Sequence, residues 1–574
     1  MSNGYSFYYY PQYYSNDIDN TPSAEMSETR SREYHNILES FANYNLEFDG
    51  HNFDFMAGAA QESKKWRSTY GYSKNFPNND LRVLGAGETS DDAGGAELEW
   101  RLRSFFGRIN YSYLDRYLFT ANIRRDGSSR FDKDDRWGNF PSFSAAWRIS
   151  NEPFFDLSFI TDLKLRGGYG ELGLQEFNDY QYIAKIEKDE NGRLNYPFGE
   201  GRDQEIYIGA RSLNFPSTGI KWETSKETNV GLDLAMFEDQ LSLSLDYYLR
   251  ESEGILFEVP IPLSAGAVSP PTINSASIDN KGLEIGLNYR NSDSPFKYQV
   301  SLTASTYSNE VTRMGEFGNE SIVGGEIHWG LDKTTKTVVG KPIASFYLYE
   351  TDGLFQNQAE IEAYSFKDKN GNVKLIMPDA KPGDVKYVDV NGDGVITEDD
   401  KKFMGDAIPD VELGFNFNAT YMNFDLTLNF FASLGKDMIN GARWMTMNSD
   451  KFHAMHKDVL DSWTETNTDT DIPRFVYGDE RNLQASDLWL EDASYFRIKL
   501  LEIGYTLPKS ITSLWGIAGL RIYVASENLL TITGYSGYDP SITTYENGSI
   551  FDRGADRSPY PLGRRFLTGI QINL

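Results

Sequence analysis

Apolar and polar residues alternate along several segments of the chain, and very short connections join these segments in pairs. In the clearest pair, every second residue of 107–113 and of 117–123 is Gly, Ala or a large apolar or aromatic residue, and the residues between them are mostly polar. Only Leu114, Asp115 and Arg116 connect the two segments. Because alternate side chains of a β-strand point to opposite faces, this pattern predicts an antiparallel hairpin with one apolar and one mostly polar face.

The same pattern recurs further along the chain. Apolar residues alternate with polar ones from Leu241 to Arg250, and again in 415–421 and 424–430, which a two-residue connection joins. The last residues, 565–574, alternate in the same way up to the C-terminus. These segments predict an all-β chain in which sequential strands pair as antiparallel neighbours.

Several features favour membrane strands over the buried strands of a soluble β-sandwich, although the latter are the commoner class. The alternating segments are near the ~9 to 11 residues that cross a bilayer at a tilt. Aromatic residues collect at the turn ends, as in an interfacial girdle: Tyr111, Tyr113, Tyr117 and Phe119. Short turns alternate with long polar excursions, at about Gln175 to Trp222, Arg313 to Lys341, Gln356 to Pro409 and Lys436 to Trp489. Outer-membrane barrels have this asymmetry, so we expect a transmembrane antiparallel β-barrel.

Composition narrows the choice further. No apolar run approaches the ~18 residues of a transmembrane helix, and the mean hydropathy is -0.51, which excludes a helical membrane protein. The 84 acidic against 55 basic residues give a net charge of -29, which would repel a phosphate backbone, so we expect no nucleic-acid partner. The chain has no cysteine, which excludes disulfides and thiolate metal sites.

The segment DVNGDGVITEDD, Asp389 to Asp400, has the oxygen-ligand spacing of an EF-hand calcium loop. The donors would be the side chains of Asp389, Asn391, Asp393, Thr397 and Asp400 and the backbone carbonyl of Val395, with Gly394 at the sharp turn. An extended segment should precede this loop and at most one helical turn should follow it, which excludes an EF-hand switch between two helices. We therefore expect a structural Ca²⁺ that holds a long loop in one shape. A solvated acidic turn closed by Asx hydrogen bonds is the alternative.

Several blocks of the chain resemble the SusC-like (SusC/RagA) branch of the TonB-dependent transporters, in the order that this family has them. The blocks are RRDGSSRF (Arg124 to Phe131), RWGNFPSFSAAWRISNEPFF (Arg136 to Phe155), LKLRGGYGELG (Leu163 to Gly173), WETSKETNVGLD (Trp222 to Asp233), NKGLEIGLNY (Asn280 to Tyr289), PGDVKYVDVNGDG (Pro382 to Gly394), SYFRIKLLEIGYTLP (Ser494 to Pro508) and SENLLTITGYSGYDP (Ser526 to Pro540). They extend from about Glu99 to the C-terminus.

The resemblance implies a multi-pass β-barrel in the lipid of the outer membrane that imports oligosaccharides or peptides and is not an enzyme. It also implies a SusD-like surface lipoprotein as a lid over the barrel, and energy supplied by TonB through an N-terminal plug region. The long outer loops, among them the calcium-like loop, would face that lid. Neither the substrate nor its contact residues follow from the resemblance.

Members of this branch begin with a signal peptide and a plug, and neither is recognisable here, since the first thirty residues lack a basic start and an apolar core. We count about sixteen strands against the 22 of plugged outer-membrane transporters. We therefore expect a C-terminal barrel portion without the plug. Residues 1–97 would form partial early strands and an extracellular loop, and 98–574 the C-terminal barrel portion with its long loops.

Two further motifs carry little weight. Gly168, Gly170 and Gly173 form a G-x-G-x-x-G pattern, but no βαβ unit follows, so we interpret them as strand or turn positions rather than a dinucleotide site. His453 and His456 could share one helix face, but two ligands without a third do not make a metal site.

Two alternatives from other classes stay open. A secreted, calcium-dependent all-β glycoside hydrolase would be soluble, with carboxylates converging in a cleft. A cell-surface adhesin or glycan-binding protein would carry a groove of aromatic residues on a polar surface. A continuous apolar belt about 25 Å tall would instead indicate the transporter.

Overall fold

The computed structural model describes residues 2–11, 23–188, 195–199, 201, 204–258, 261, 264, 271–315, 321–327, 330–331, 333–448, 454–478, 480–542 and 549–574. His453 lies outside these residues, and so does the N-terminal stretch 12–22. The chain divides into two compact units. Unit 1 comprises Met1–Ala145, Gly168–Lys226 and Ser252–Ser275, and unit 2 comprises Ala146–Gly167, Glu227–Glu251 and Ala276–Leu574.

Strands dominate the described residues. In the first half they are β1 (Ser2–Tyr10), β2 (Glu25–Phe48), β3 (His51–Lys74), β4 (Thr89–Tyr113), β5 (Tyr117–Ser128), β6 (Trp137–Arg148), β7 (Ile160–Leu174), β8 (Ile186–Lys188), β9 (Tyr196–Phe198), β10 (Glu205–Tyr207), β11 (Ala210–Ser212), β12 (Glu223–Met236), β13 (Leu241–Glu258), β14 (Thr272–Asn291) and β15 (Phe296–Thr306). In the second half they are β16 (Ser308–Arg313), β17 (Ser321–Gly324), β18 (Thr335–Val338), β19 (Ser345–Tyr349), β20 (Thr351–Leu354), β21 (Ser365–Lys367), β22 (Val373–Leu375), β23 (Val385–Tyr387), β24 (Lys401–Phe403), β25 (Val411–Tyr421), β26 (Phe424–Leu434), β27 (Asp437–Ile439), β28 (Leu490–Asp492), β29 (Tyr495–Thr506), β30 (Gly519–Thr533) and β31 (Arg565–Asn573).

The helices are short and lie in the connections. The α-helices are α1 (Gln358–Ala363), α2 (Gly441–Met447) and α3 (Lys509–Thr512), and short 3-10 turns lie at Leu84–Ala86, Ile149–Asn151, Glu398–Asp400, Lys457–Asp461, Arg481–Leu483, Asp487–Trp489, Ser513–Trp515 and Ile550–Asp552. None of the described helices is both long enough and apolar enough to cross a membrane.

Unit 1 contains an antiparallel meander in which β1, β2, β3, β4 and β5 pair in sequence order. The predicted hairpin is confirmed, with Tyr113 opposite Tyr117 across a three-residue turn. β2, β3 and β4 have 24, 24 and 25 residues, so they are longer than the bilayer-crossing segments expected from the alternation alone.

Unit 2 contains a second meander, in which β14, β15, β25, β26, β29, β30 and β31 pair in that order. The hairpin of β25 and β26 is confirmed, since Tyr421 lies opposite Phe424. The C-terminal strand is also confirmed, because β31 pairs with β30 from Glu527 to Gly519. Among the described residues the main sheet has 17 strands, one of which, β16, is a short addition beside β14, in line with the expected sixteen.

Each meander has one apolar face and one polar face, as the alternation predicts. In unit 1 the cross-strand register places Phe55, Ile109 and Ala121 in one row and Phe53, Tyr111 and Phe119 in the next. Of these side chains, Ile109 and Phe119 are exposed, at 42% and 43%, and the others are half-buried. The polar face carries hydrogen bonds such as Thr120 to Asn110 at 3.0 Å. An apolar face that no other part of the unit covers needs an apolar environment.

The polar face of unit 2 carries networks of ion pairs. Arg166 binds both Asp233 and Asp246, while Arg521 binds both Asp425 and Glu502. Gly168, Gly170 and Gly173 lie within β7 (Ile160–Leu174), so the interpretation of these glycines as strand positions is confirmed.

Candidate functional site: the loop assembly of unit 2

The connections that follow β15, β26 and β30 carry their own hydrophobic core. We call the described residues within 307–410, 435–494 and 534–564 the loop assembly. The core includes Phe346, Leu348, Ile439, Trp444 and Trp489, all at most 3% exposed. Buried apolar area of this kind stabilises a fixed arrangement, so these loops form a folded layer.

Tryptophan N–H groups fix this layer by hydrogen bonds to neighbouring backbone. Trp444 Nε1 donates to the carbonyl oxygen of Leu483 at 2.9 Å, and Trp489 Nε1 donates to that of Gln484 at 3.1 Å. Buried polar groups are rarely left unpaired, since an unpaired donor costs free energy. The indoles therefore serve as packing and anchoring groups, which leaves them unable to stack on a ligand.

The calcium-like loop lies in this assembly and closes through Asx-type hydrogen bonds. The Asp389 carboxylate accepts from the backbone N–H groups of Gly392 and Gly394, each at 2.8 Å. Asn391 Oδ1 accepts from the N–H of Asp393 at 2.8 Å, and Asp393 Oδ1 accepts from that of Val395 at 2.9 Å. Each of these side chains thus accepts hydrogen bonds from backbone N–H groups two to five residues further along the chain, as the acidic-turn interpretation requires.

Asp400 closes the other end of the loop. It is fully buried, at 0% exposed, and its Oδ1 accepts from the N–H groups of Val390 and Asn391 at 3.0 and 3.3 Å. Its Oδ2 accepts from the N–H of Thr397 at 2.7 Å, which completes a capping box for the turn Glu398–Asp400. Both carboxylate oxygens of Asp400 thus have backbone donors before any cation is considered.

The flanks of the loop are those predicted from the sequence. β23 (Val385–Tyr387) precedes it, and the loop ends in the 3-10 turn Glu398–Asp400, which is followed directly by β24 (Lys401–Phe403). Gly394 has φ +87°, and a Cβ there would run into the ring of Phe366. The loop is therefore a clip between two short strands, and its glycine is required by both backbone conformation and space.

The six predicted calcium donors lie within one loop, and several of their side-chain oxygens already accept hydrogen bonds from backbone N–H groups. Within the described part of the chain, no group of three or more His, Cys, Asp or Glu side chains is arranged to hold a metal ion. Only three of the six donors, Asp389, Asp393 and Asp400, are carboxylates, since the others are an amide, a hydroxyl and a backbone carbonyl. The calcium site stays a prediction. His456 caps the turn Lys457–Asp461 through the N–H of Asp458, at 3.3 Å.

A buried ion pair that the sequence did not indicate ties this region to a distant loop. The Asp384 carboxylate is 1% exposed and binds the guanidinium of Arg474, 90 positions away. Asn482 Nδ2 donates to the same carboxylate at 3.1 Å. Breaking such a buried pair leaves an uncompensated charge, at a cost of roughly 3 to 5 kcal/mol.

Two neighbouring residues after β26 have perturbed pKa values. Burial lowers the pKa of Lys436 to about 8, although its Nζ donates to the carbonyl oxygen of Pro540 at 2.6 Å. Burial, together with the carboxylates of Asp492, Asp406 and Asp410, raises the pKa of Asp437 to about 6. This part of the loop assembly is sensitive to pH near neutrality.

The family model described as TonB dependent receptor-like, beta-barrel, matches residues 1–529. This chain belongs to that family. Its members are outer-membrane β-barrels, which explains the exposed apolar faces of the two meanders. The family comprises receptors and transporters, and the soluble hydrolase considered from the sequence has no support in it.

Relatives and solved structures agree with this family. TonB-dependent receptor P3 of Formosa agariphila is 32% identical over 544 residues, which cover 93% of this chain and 52% of that protein. TonB-dependent receptor SusC of Bacteroides thetaiotaomicron is 30% identical over 483 residues, covering 82% of this chain and 43% of that protein. The structure of the RagAB peptide transporter matches with a TM-score of 0.80 at 24% identity, over 99% of this chain and 58% of that one. The chain spans about half the length of the curated relatives it matches.

Proposed function

We propose that this chain is the barrel portion of an outer-membrane importer for oligosaccharides or peptides and has no enzymatic activity of its own. A SusD-like surface lipoprotein would cover the loop assembly, and TonB would supply energy through a plug region. The observation that carries this proposal is the loop assembly itself, a folded layer with its own core on the long-loop side of the strands. A rigid platform of this kind suits a partner that must dock repeatedly.

Exposed aromatic side chains on the loops support a surface that contacts ligand or lid. Tyr538 and Tyr560 are 69% and 95% exposed, and Pro540 and Pro561 lie close to them in the chain. Tyrosine rings contact the apolar faces of sugars and the side chains of peptides alike, because they offer a large rigid area with a polar tip. The two substrate classes therefore remain together in the proposal.

Calcium is proposed as a structural ion of this assembly. Asp389, Asn391 and Asp393 would supply side-chain oxygens, Val395 its carbonyl, and Thr397 and Asp400 the far side of the loop. Bound calcium would neutralise the acidic loop and hold it in one shape. It would take no part in transport chemistry.

The function is tested in the native host by deleting the complete gene that encodes this chain. We expect growth on single oligosaccharides or on single oligopeptides as the sole nutrient to be lost for one class only, and to return with the wild-type gene. Uptake of a labelled member of that class should also stop when the inner-membrane energy supply through TonB is removed, while surface binding persists.

Other outcomes contradict the proposal. Unchanged growth and uptake across the panel would reject an importer. Labelled ligand that binds to the cells and never enters, with or without TonB, would indicate an adhesin or binding protein. Cleaved product in the medium that depends on this gene would indicate an enzyme.

A further inference from the structure

Basic residues occupy the apolar face of unit 1 just beyond its apolar band. On β2 the apolar face runs from Phe48 at the short turn to Leu38. Ten steps of ~3.3 Å each, tilted by ~45°, give a height of about 23 Å, close to the ~25 Å apolar band of an outer-membrane barrel. The same face continues beyond Leu38 with Tyr34, Arg32 and Arg30, because these positions keep the period of two.

The neighbouring strands repeat this change at matching heights. Cross-strand register places Gln61 opposite Leu38 and Arg103 opposite Gln61. Further from the short turn, Lys65 lies opposite Tyr34, and Arg67 lies opposite Arg32. The basic residues therefore form a zone at one level, on the side of the long connections, which face outward in this family.

An aromatic and arginine pair marks the border between the apolar band and this zone. The rings of Phe105 and Trp137 stack with centroids 6.1 Å apart, and the Arg125 guanidinium lies 5.3 Å from the Trp137 ring centroid. Tryptophan is enriched at the level of the lipid headgroups, and its ring face attracts a nearby guanidinium.

A groove of about 570 Å³ lies within the basic zone. Tyr5, Arg30, Arg32, Tyr34, Lys65, Arg67 and Glu97 are among the residues that line it. We call it the basic groove. It opens on the same face as the apolar band, so that a molecule embedded in the bilayer beside the strands can place its headgroup there.

The charges in this zone do not balance among themselves. Three carboxylates on this face form ion pairs: Glu28 with Arg30, Glu97 with Lys65, and Glu99 with Arg101. Among the contacts of the described residues, Arg32 has no carboxylate partner and hydrogen-bonds the Tyr34 hydroxyl at 3.3 Å. Arg67 lies opposite Glu97 on β4, but the Glu97 carboxylate forms its ion pair with Lys65, at 2.7 Å. Like charges directly opposite on paired strands are destabilising, and an anion between them would remove that cost.

We propose that the basic groove binds the phosphate of a phosphorylated lipid headgroup in the outer leaflet. Phosphate is the anion that matches two adjacent guanidinium groups, since each can bind it through two parallel N–H donors. The apolar band below the groove would receive the acyl chains of the same lipid. This inference rests on the membrane location of the family and does not depend on the proposed transport function.

The test compares variants of the 574-residue chain, purified in detergent, by titration with phosphorylated lipid A and with its dephosphorylated form. Arg32→Gln with Arg67→Gln should weaken binding of the phosphorylated lipid by about 25-fold. Each basic residue at a membrane surface contributes a factor of roughly five to the affinity, and two such residues are removed. Arg32→Lys with Arg67→Lys keeps the charges but loses the paired N–H donors, so its affinity should lie between those of the wild type and of the glutamine variant.

The matched control removes the same charge from the opposite face of this meander, on β3 and β4. Lys64→Gln with Arg108→Gln should bind phosphorylated lipid A as the wild type does. Equal affinity of the wild type for the dephosphorylated lipid, or an Arg32/Arg67 variant that binds normally, would overturn the proposal. Displacement of the lipid by millimolar inorganic phosphate would overturn the lipid assignment and indicate a free-phosphate site.

Discussion

Asp437 shows how one side chain makes the loop assembly depend on pH. Burial and three nearby carboxylates raise its pKa to about 6, whereas an unfolded aspartate titrates near pH 4. The folded loop thus binds a proton that the unfolded chain releases between these values. Stability contributed by this group is present at low pH and is lost as the pH rises through about 6.

Asp437→Asn should therefore stabilise the protein at pH 7.5, by on the order of 1 kcal/mol after allowance for partial exposure to solvent. The gain should shrink toward zero at pH 4.5, where the wild-type carboxyl is already protonated. Thermal unfolding of both proteins at the two pH values measures this difference. Asp399→Asn, on an exposed residue of the calcium-like loop, is the control and should show no comparable dependence on pH. An equal gain at both pH values would contradict the explanation.

The calcium-like loop depends on two glycines that differ in their surroundings. Gly392 has φ +74° and open space around a Cβ, whereas Gly394 has φ +87° and faces the ring of Phe366. Gly392→Ala should cost on the order of 1 kcal/mol through backbone strain alone. Gly394→Ala should cost roughly 2 kcal/mol more, because Phe366 must also move.

Limited proteolysis of the loop, with and without Ca²⁺, measures this prediction. We expect cleavage within 389–400 to be faster in Gly394→Ala than in Gly392→Ala. Calcium should slow cleavage of the wild type if the six predicted donors bind the ion. Identical cleavage in both variants would show that Phe366 does not constrain the loop, and no effect of Ca²⁺ on the wild type would favour the acidic turn closed by hydrogen bonds alone.

The ion pair between Asp384 and Arg474 joins two distant segments of the chain, and no local sequence pattern predicts it. Asp384 precedes β23, while Arg474 lies in a connection without regular structure. Asp384→Asn should destabilise the loop assembly by roughly 3 kcal/mol, because it leaves the mostly buried guanidinium of Arg474 beside a neutral amide. Hydrogen exchange of the backbone N–H groups of 383–388 reports this local loosening. Asp352→Asn, which removes the partner of Lys386 on an exposed surface, is the control and should leave the exchange unchanged.

Membrane insertion of the chain depends on strands that each have one apolar face and one polar face. Ile109 lies on the apolar face and Asn110 on the polar face of the same strand. Ile109→Arg should destabilise the membrane-inserted protein by roughly 2 to 4 kcal/mol, because it places a charge on the lipid face. Asn110→Arg should have a much smaller effect.

Refolding into vesicles over a urea series, followed by tryptophan fluorescence, separates these variants. Equal destabilisation by both arginines would show that the two faces have the same surroundings, which would reject lipid contact on the apolar face. A similar loss for Ile109→Arg in detergent-free buffer would indicate a soluble sheet. Neither outcome is expected for a member of this family.

Local patterns determined much of the fold. Period-two alternation in 107–123 and 415–430 predicted both hairpins and their faces, since the geometry of a strand depends only on neighbouring residues. The extended approach to the calcium-like loop and the short turn behind it followed in the same way. The family resemblance rested on blocks of consecutive residues, which can be recognised without knowledge of the tertiary structure.

Tertiary structure decided the features that join distant positions. The sequence did not predict three such contacts. They are the hydrogen bonds from the backbone N–H groups of Val390, Asn391 and Thr397 to Asp400, the ion pair of Asp384 with Arg474, and the placement of Arg32 opposite Arg67. Each depends on strand register or on the packing of long loops, which many distant contacts set together and which must repay the entropy of loop closure. Alternation along one strand specifies which face a residue occupies, and only the assembled sheet specifies which residues share that face at the same height.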